Sequence, residues 1–171
     1  EATEGEPEHG VDPDLVAAIL LDGNALLDTV KEDLRARIKA LGERGITPGL
    51  GTILVGDDPS SAAYVRGKHE NAAELGITSF PVELPATASQ TEVLDAIAAF
   101  NRNPEVDGFI VQLPLPRGLD EEAALLAVDP VKDSDGLHPV NLGRLMLGKR
   151  APRPATPTGI QSGSLRFLGS S

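Results

Sequence analysis

The chain has 171 residues, 40% of them hydrophobic and 24% charged, with 15 Lys plus Arg against 26 Asp plus Glu for a net charge of -11. That balance suits a globular chain with a sizeable core, and its acidity disfavours unspecific binding to nucleic acid or to anionic membranes. There is no Cys and there are three His, His9, His69 and His138, which excludes disulfides and thiolate ligands and leaves no metal-ligand spacing.

The elements follow in chain order. Residues 1–14 are acidic, carry Pro7 and Pro13 and lack a basic segment, so they read as a disordered tail and not as a secretory signal. The chain opens at Glu1 without Met, as expected of a fragment or a processed product. Val16–Leu21 is a short apolar run closed by Asp22-Gly23 and is expected as a strand. Leu27, Val30, Leu34, Ile38 and Leu41 recur every three or four residues, which predicts a helix over Asn24–Arg44 ended by Gly45. A strand is expected over Leu50–Val55, between Pro48-Gly49 and Gly56. Asp57-Asp58-Pro59 is a helix start, with an acidic cap before a first-turn proline, and that helix should run to Leu75 and stop at Gly76. Further expectations are a strand over Ile77–Leu84, a helix over Gln90–Asn101, a strand over Val106–Leu113, a weaker helix over Glu121–Val128 and a short helix over Asn141–Leu147. No apolar run reaches the roughly 18 residues that span a membrane. Alternating strands and helices imply an α/β fold, a mostly parallel sheet covered by helices on both faces in a three-layer αβα arrangement. Residues 161–171 are rich in Ser and Gly, lack helical periodicity and read as a flexible end.

The most informative stretch is Phe109-Ile110-Val111-Gln112-Leu113-Pro114-Leu115-Pro116. An apolar strand ends on a polar amide, and two prolines then force the chain out of the sheet. Ligands of open α/β sheets bind at that edge. Tyr64 and Lys68 lie four residues apart on one helical face, with Gly67 between them. A ring can stack on a flat ligand while the amine beside it hydrogen-bonds or moves a proton, the latter only where burial or a neighbouring cation lowers its pKa. The plain alternative is a surface Lys and a half-buried Tyr. Gln112 reads equally as a strand-end amide satisfying loop backbone, Asp135 before Gly136 as a turn former, and Ser61 and His138 as structural residues. Gly49-Leu50-Gly51 precedes a strand instead of following one, so no dinucleotide loop is present, and no Ser sits in a nucleophile elbow.

Four segments together resemble the bifunctional methylenetetrahydrofolate dehydrogenase and methenyltetrahydrofolate cyclohydrolase family. They are Gly56-Asp57-Asp58-Pro59-Ser60-Ser61-Ala62-Ala63-Tyr64-Val65-Arg66-Gly67-Lys68, the run from Asp107 to Pro116, Lys132-Asp133-Ser134-Asp135-Gly136-Leu137-His138-Pro139 with Asn141 and Gly143-Arg144, and Pro154-Ala155-Thr156-Pro157-Thr158-Gly159-Ile160. The resemblance implies a catalytic domain over residues 15–160, followed by a tail over 161–171 that does not match the family. Ala155, Glu70 and Ala72 depart from residues common in the family. The resemblance further implies Lys68 as the catalytic lysine, Gln112 as its orienter, Tyr64 as the ring under the folate and Asp135 as the acid holding the pterin donors. Ser61, Leu113 and Pro114 would complete the pocket wall.

The implied chemistry is hydride transfer from methylenetetrahydrofolate to NADP and hydrolysis of the methenyl product to formyltetrahydrofolate, without a metal. The expected partner is a small folate; no nucleic acid or membrane is involved. The NADP-binding domain is missing from these 171 residues, so a truncated single domain without dehydrogenase activity is expected. The family implies a homodimeric parent and, for this piece, a monomer or unspecific association through exposed apolar surface, while the lack of Cys and of a signal points to a cytoplasmic location. A folate-binding chain without catalysis shares every one of these motifs and is the alternative.

Overall fold

The computed structural model describes residues 23–154 and residue 158. The acidic tail, the strand expected over Val16–Leu21 and the segment 161–171 lie outside the described residues. Three strands, β1 (Gly49–Val55), β2 (Thr78–Leu84) and β3 (Gly108–Val111), form an all-parallel sheet in the order β2-β1-β3. Around it stand α1 (Gly23–Gly42), α2 (Pro59–Leu75), α3 (Gln90–Arg102), α4 (Glu121–Ala127) and α5 (Pro139–Met146). This is the α/β architecture that the alternation of periods implies.

β1 is central, and its sequence Gly-Leu-Gly-Thr-Ile-Leu-Val is nearly continuous in apolar character because helices cover both faces. Ile53 and Val55 point to one face and pack with Val93, Ile97 and Phe100 of α3 and with Phe109 and Val111 of β3. Burying each of these side chains contributes about 1.5–3 kcal/mol. Thr52 points to the other face, where its hydroxyl meets His69 Nε2 of α2 at 2.9 Å. Phe100 and Phe109 meet edge to face with centroids 5.3 Å apart, an arrangement that suits the aromatic quadrupoles. α4 packs on α3, and α1 packs on α2, where Lys31 and Arg35 both pair with Glu74.

Local chemistry sets the boundaries. In β2, Thr78 donates to Pro48 and Leu84 accepts from Gly56, so the residues of that parity bond inward and Pro81 lies on the outward edge, where its missing N–H breaks no rung. α2 begins at Pro59 under Asp58, whose carboxylate accepts from Ser61 N at 2.8 Å, and ends at Gly76, left-handed at φ 79°. α3 opens with a reciprocal Ser89–Glu92 capping box. Lys132 Nζ closes its far end by donating to the carbonyls of Phe100 and Asn103 at 3.0 and 2.7 Å.

Three expectations shift. β3 is shorter than Val106–Leu113, because residues 103–106 form a turn in which Glu105 N donates to Asn103 Oδ1 at 2.9 Å, and because the prolines end pairing after Gln112. α5 starts at Pro139 instead of Asn141, since His138 caps it by accepting from Val140 N at 3.1 Å. α1 ends at Gly42 instead of Arg44, and along its apolar stripe Leu27 and Val30 stand 44% and 45% exposed while Leu34, Ile38 and Leu41 are half-buried.

Gly51 marks the tightest helix-on-sheet approach. A Cβ placed there would lie 2.8 Å from both the Phe100 ring and Phe109 Cβ. Gly51→Ala is therefore expected to lower stability by about 1–3 kcal/mol through overpacking, read as a lower urea midpoint; an unchanged midpoint would refute this account of the packing.

Candidate functional site

Gln112 N donates to Ile53 O at 2.9 Å, so the residue is fastened to β1 just past the end of β3. Beyond it the Leu113–Pro114 peptide is cis and the chain turns away. The Gln112 side chain is held at both ends: Nε2 donates to Leu113 O at 2.7 Å, and Oε1 accepts from Lys68 Nζ at 3.2 Å. Because its NH2 is committed to a carbonyl, the amide presents its oxygen to the lysine. The tie joins α2 to the carboxyl edge of the sheet.

Lys68 and Tyr64 line one open groove of about 540 Å³ along α2 with Ser60, Ala63, Gly67 and Asn71. Tyr64 is 69% exposed, so its ring is an uncovered wall. Gly67 costs a helix interior about 1 kcal/mol relative to Ala, yet a Cβ there would touch nothing within 4 Å. No packing of the described residues requires a glycine at that point, and its effect is to leave the groove open.

The third component is the loop after β3. Asp133 is buried, and its carboxylate accepts from Leu137 N at 3.3 Å, His138 N at 2.9 Å and Asn141 Nδ2 at 2.9 Å. Its backbone bridges to Phe109 in parallel register. Asp135, two residues on, is half-buried and accepts no hydrogen bond among the described residues. Burial pushes its carboxyl above the ordinary aspartate range; the Lys68 ammonium opposes that rise and the Asp133 charge adds to it. Asp135 therefore lies within electrostatic reach of Lys68.

The structure brings Tyr64, Lys68, Gln112 and Asp135 to one end of the sheet. It places the other three differently. Ser61 is buried, with its N–H on the Asp58 carboxylate, and Ser60 lines the groove in its stead. Leu113 is half-buried against the core, and Pro114 is exposed at the start of the departing segment; neither lines the groove on α2. Sequence reasoning passed over Ser60 and Asn71, although both were available from spacing, four residues before Tyr64 and three after Lys68. Asp133 was passed over as well, although its partners lie four, five and eight residues further along the chain.

The chain is similar to known proteins in both sequence and fold. The family profile described as tetrahydrofolate dehydrogenase/cyclohydrolase, catalytic domain, matches residues 21–135. The bifunctional FolD methylenetetrahydrofolate dehydrogenase/cyclohydrolase of Campylobacter jejuni superposes with a TM-score of 0.84 at 38% identity, over 88% of this chain and 54% of that one. A 5,10-methylenetetrahydrofolate dehydrogenase of the silkworm Bombyx mori gives 0.85 at 35%, over 89% and 53%. The Trypanosoma brucei methylenetetrahydrofolate dehydrogenase-cyclohydrolase, complexed with NADP cofactor and inhibitor, gives 0.83 at 36%, over 89% and 52%. The chain belongs to the tetrahydrofolate dehydrogenase/cyclohydrolase family, and it spans about half the length of these solved relatives.

The described residues do not fit NADP. A dinucleotide diphosphate needs free helix N-terminal N–H groups and no opposing charge. Each strand-to-helix turn of this sheet carries its own acid instead: Asp58 on α2, Glu92 with Ser89 on α3, and Asp120 on α4. No group of His, Cys, Asp and Glu suited to a metal occurs among the described residues.

Asp135 supplies a pH test. A carboxyl raised in the folded state binds its proton more tightly there than in the unfolded chain, so its contribution favours folding below the ordinary aspartate pKa and is lost as pH rises through the raised value. Asp135→Asn is expected to raise the thermal midpoint at neutral pH, with the gain vanishing below about pH 4. A gain that persists in acid would contradict the assignment.

Proposed function

We propose that this chain is a folate-binding catalytic domain and that the Lys68–Gln112 pair manages the proton during hydrolysis of a methenyl-bridged reduced folate. The observation that carries this reading is the 3.2 Å bond from Lys68 Nζ to Gln112 Oε1 at the carboxyl edge of the sheet. The Tyr64 ring supports the flat part of the ligand, and the Asp135 carboxylate, which accepts no hydrogen bond among the described residues, takes two N–H donors from the pterin edge. Water bonds to the cationic bridge carbon and gives up one proton to solvent; the Lys68 ammonium then passes a proton to the departing bridge nitrogen as that carbon–nitrogen bond opens, and takes back the remaining hydroxyl proton to leave a formyl group on the other nitrogen. Lys68 suits the task because an amine on a flexible stem can follow the proton through both stages.

Oxidation of the methylene form with NADP, which the relatives' names describe, belongs in this reading to polypeptides of the relatives' length. Binding of folate without turnover is the second reading, favoured by the exposure of Tyr64, which leaves one side of the groove open to water.

Lys68→Met is expected to slow hydrolysis of methenyltetrahydrofolate by about 100-fold or more, followed as decay of its absorbance, while a reduced folate still binds. Hydrolysis at an unchanged rate would remove Lys68 from the mechanism. Folate binding with no hydrolysis in the unsubstituted chain would select the second reading. Gly67→Ala is expected to raise stability by about 0.5–1 kcal/mol and to weaken folate binding, so tighter binding in that variant would refute the placement of the ligand.

A further inference from the structure

We propose that Glu121 is a positioning residue for the folate site and that it acts through Gln112, a role that rests on the folate reading above. Pro114 and Pro116 have no amide hydrogen, so Leu115 carries the one backbone donor of the segment 114–116. The Glu121 carboxylate takes that donor: Leu115 N lies 2.7 Å from Glu121 Oε1. Leu115 is buried at 8% exposure, so its amide would lack a partner without Glu121, and an unpaired buried amide is unfavourable.

Glu121 is itself anchored. It is the first residue of α4, and Asp120 before it is bracketed by Gln90 of α3, whose Oε1 accepts from Asp120 N at 2.8 Å and whose Nε2 donates to Asp120 O at 3.2 Å. Asp120 also caps α4 by accepting from Ala123 N at 2.9 Å. The carboxylate therefore works from a backbone fixed on the core helix α3.

The line to the site is short. Glu121 holds the amide of Leu115, the intervening residue is Pro114, and the next carbonyl back is Leu113 O, which accepts from Gln112 Nε2 at 2.7 Å. That contact decides which end of the Gln112 amide faces Lys68. If the segment loosens, the carbonyl moves, the amide is free to turn, and an NH2 in place of the oxygen would face the lysine's donors. Glu121 touches neither Lys68 nor the groove, and its effect passes through the orientation of Gln112.

The test measures hydrogen exchange at the Leu115 amide, the Gln112 side-chain amide resonances and affinity for 5-formyltetrahydrofolate in the whole chain. Glu121→Ala is expected to speed exchange at Leu115 by about tenfold or more, to shift the Gln112 amide resonances and to weaken affinity on the order of tenfold. Glu121→Gln keeps an acceptor oxygen and should restore all three to within about twofold of the original chain. Gln112→Ala and the double variant with Glu121→Ala should bind alike, since a residue acting through Gln112 has nothing left to act on. Unchanged Leu115 exchange, unchanged Gln112 resonances, or losses that simply add in the double variant would each overturn the proposal. If the unsubstituted chain binds no reduced folate, the functional reading fails, and the exchange and resonance measurements still decide the role of Glu121.

Discussion

The bond from Gln112 N to Ile53 O, at 2.9 Å, is the last rung between the central strand and its neighbour, and the arrangement of the site depends on it. β1 is buried on both faces, so its position relative to α2 and α3 is set by core packing. The rung transfers that precision to a polar residue at the sheet's edge. Lys68 on α2 and Gln112 after β3 meet because both elements are fixed to the same strand, one through the Thr52–His69 contact and the other through the ladder. Their meeting is a property of the core before it is a property of the site.

Two acids in one loop are treated differently by the fold. Asp133 has three donors and little exposure, and it ties β3, α5 and the intervening turn together. Asp135 is burdened by burial and has no donor of its own among the described residues, with Lys68 as its partial compensation. A carboxylate held short of partners costs the folded state, and a ligand that brings two donors recovers the cost as affinity. The three donors on Asp133 tie down the turn on which Asp135 stands.

Much of this was readable from local chemistry. The apolar run closed by Gln112 and two prolines marked the edge of the sheet, Asp58-Pro59 and Gly76 marked the ends of α2, and the four-residue spacing of Tyr64 and Lys68 put them on one face. Ser61 is buried in the first turn of α2 with its backbone N–H on the Asp58 cap, as its reading as a structural residue implies. The Gln90–Asp120 bracket spans 30 residues. The ties of Lys132 to the carbonyls of Phe100 and Asn103 likewise depend on atoms brought together by the fold. Periodicity has no term for such contacts.

The distribution of charge follows the same division. Acidic residues outnumber basic ones by 26 to 15, and several of the acids stand at helix starts, where the aligned N–H groups stabilise them. Those acids fill positions that would otherwise attract phosphate. Lys68 lies instead in the third turn of α2, away from the cap, with a neutral amide on one side and a desolvated acid within reach. A flat ligand carrying a cationic bridge and N–H donors meets an amide oxygen, a carboxylate and an aromatic face there, whereas a diphosphate would meet carboxylates at every strand-to-helix turn. The caps of α2, α3 and α4 thus occupy the helix ends that would otherwise draw a diphosphate, and in the folate reading proposed above the side chains of the same edge are left to a ligand that brings N–H donors and positive charge.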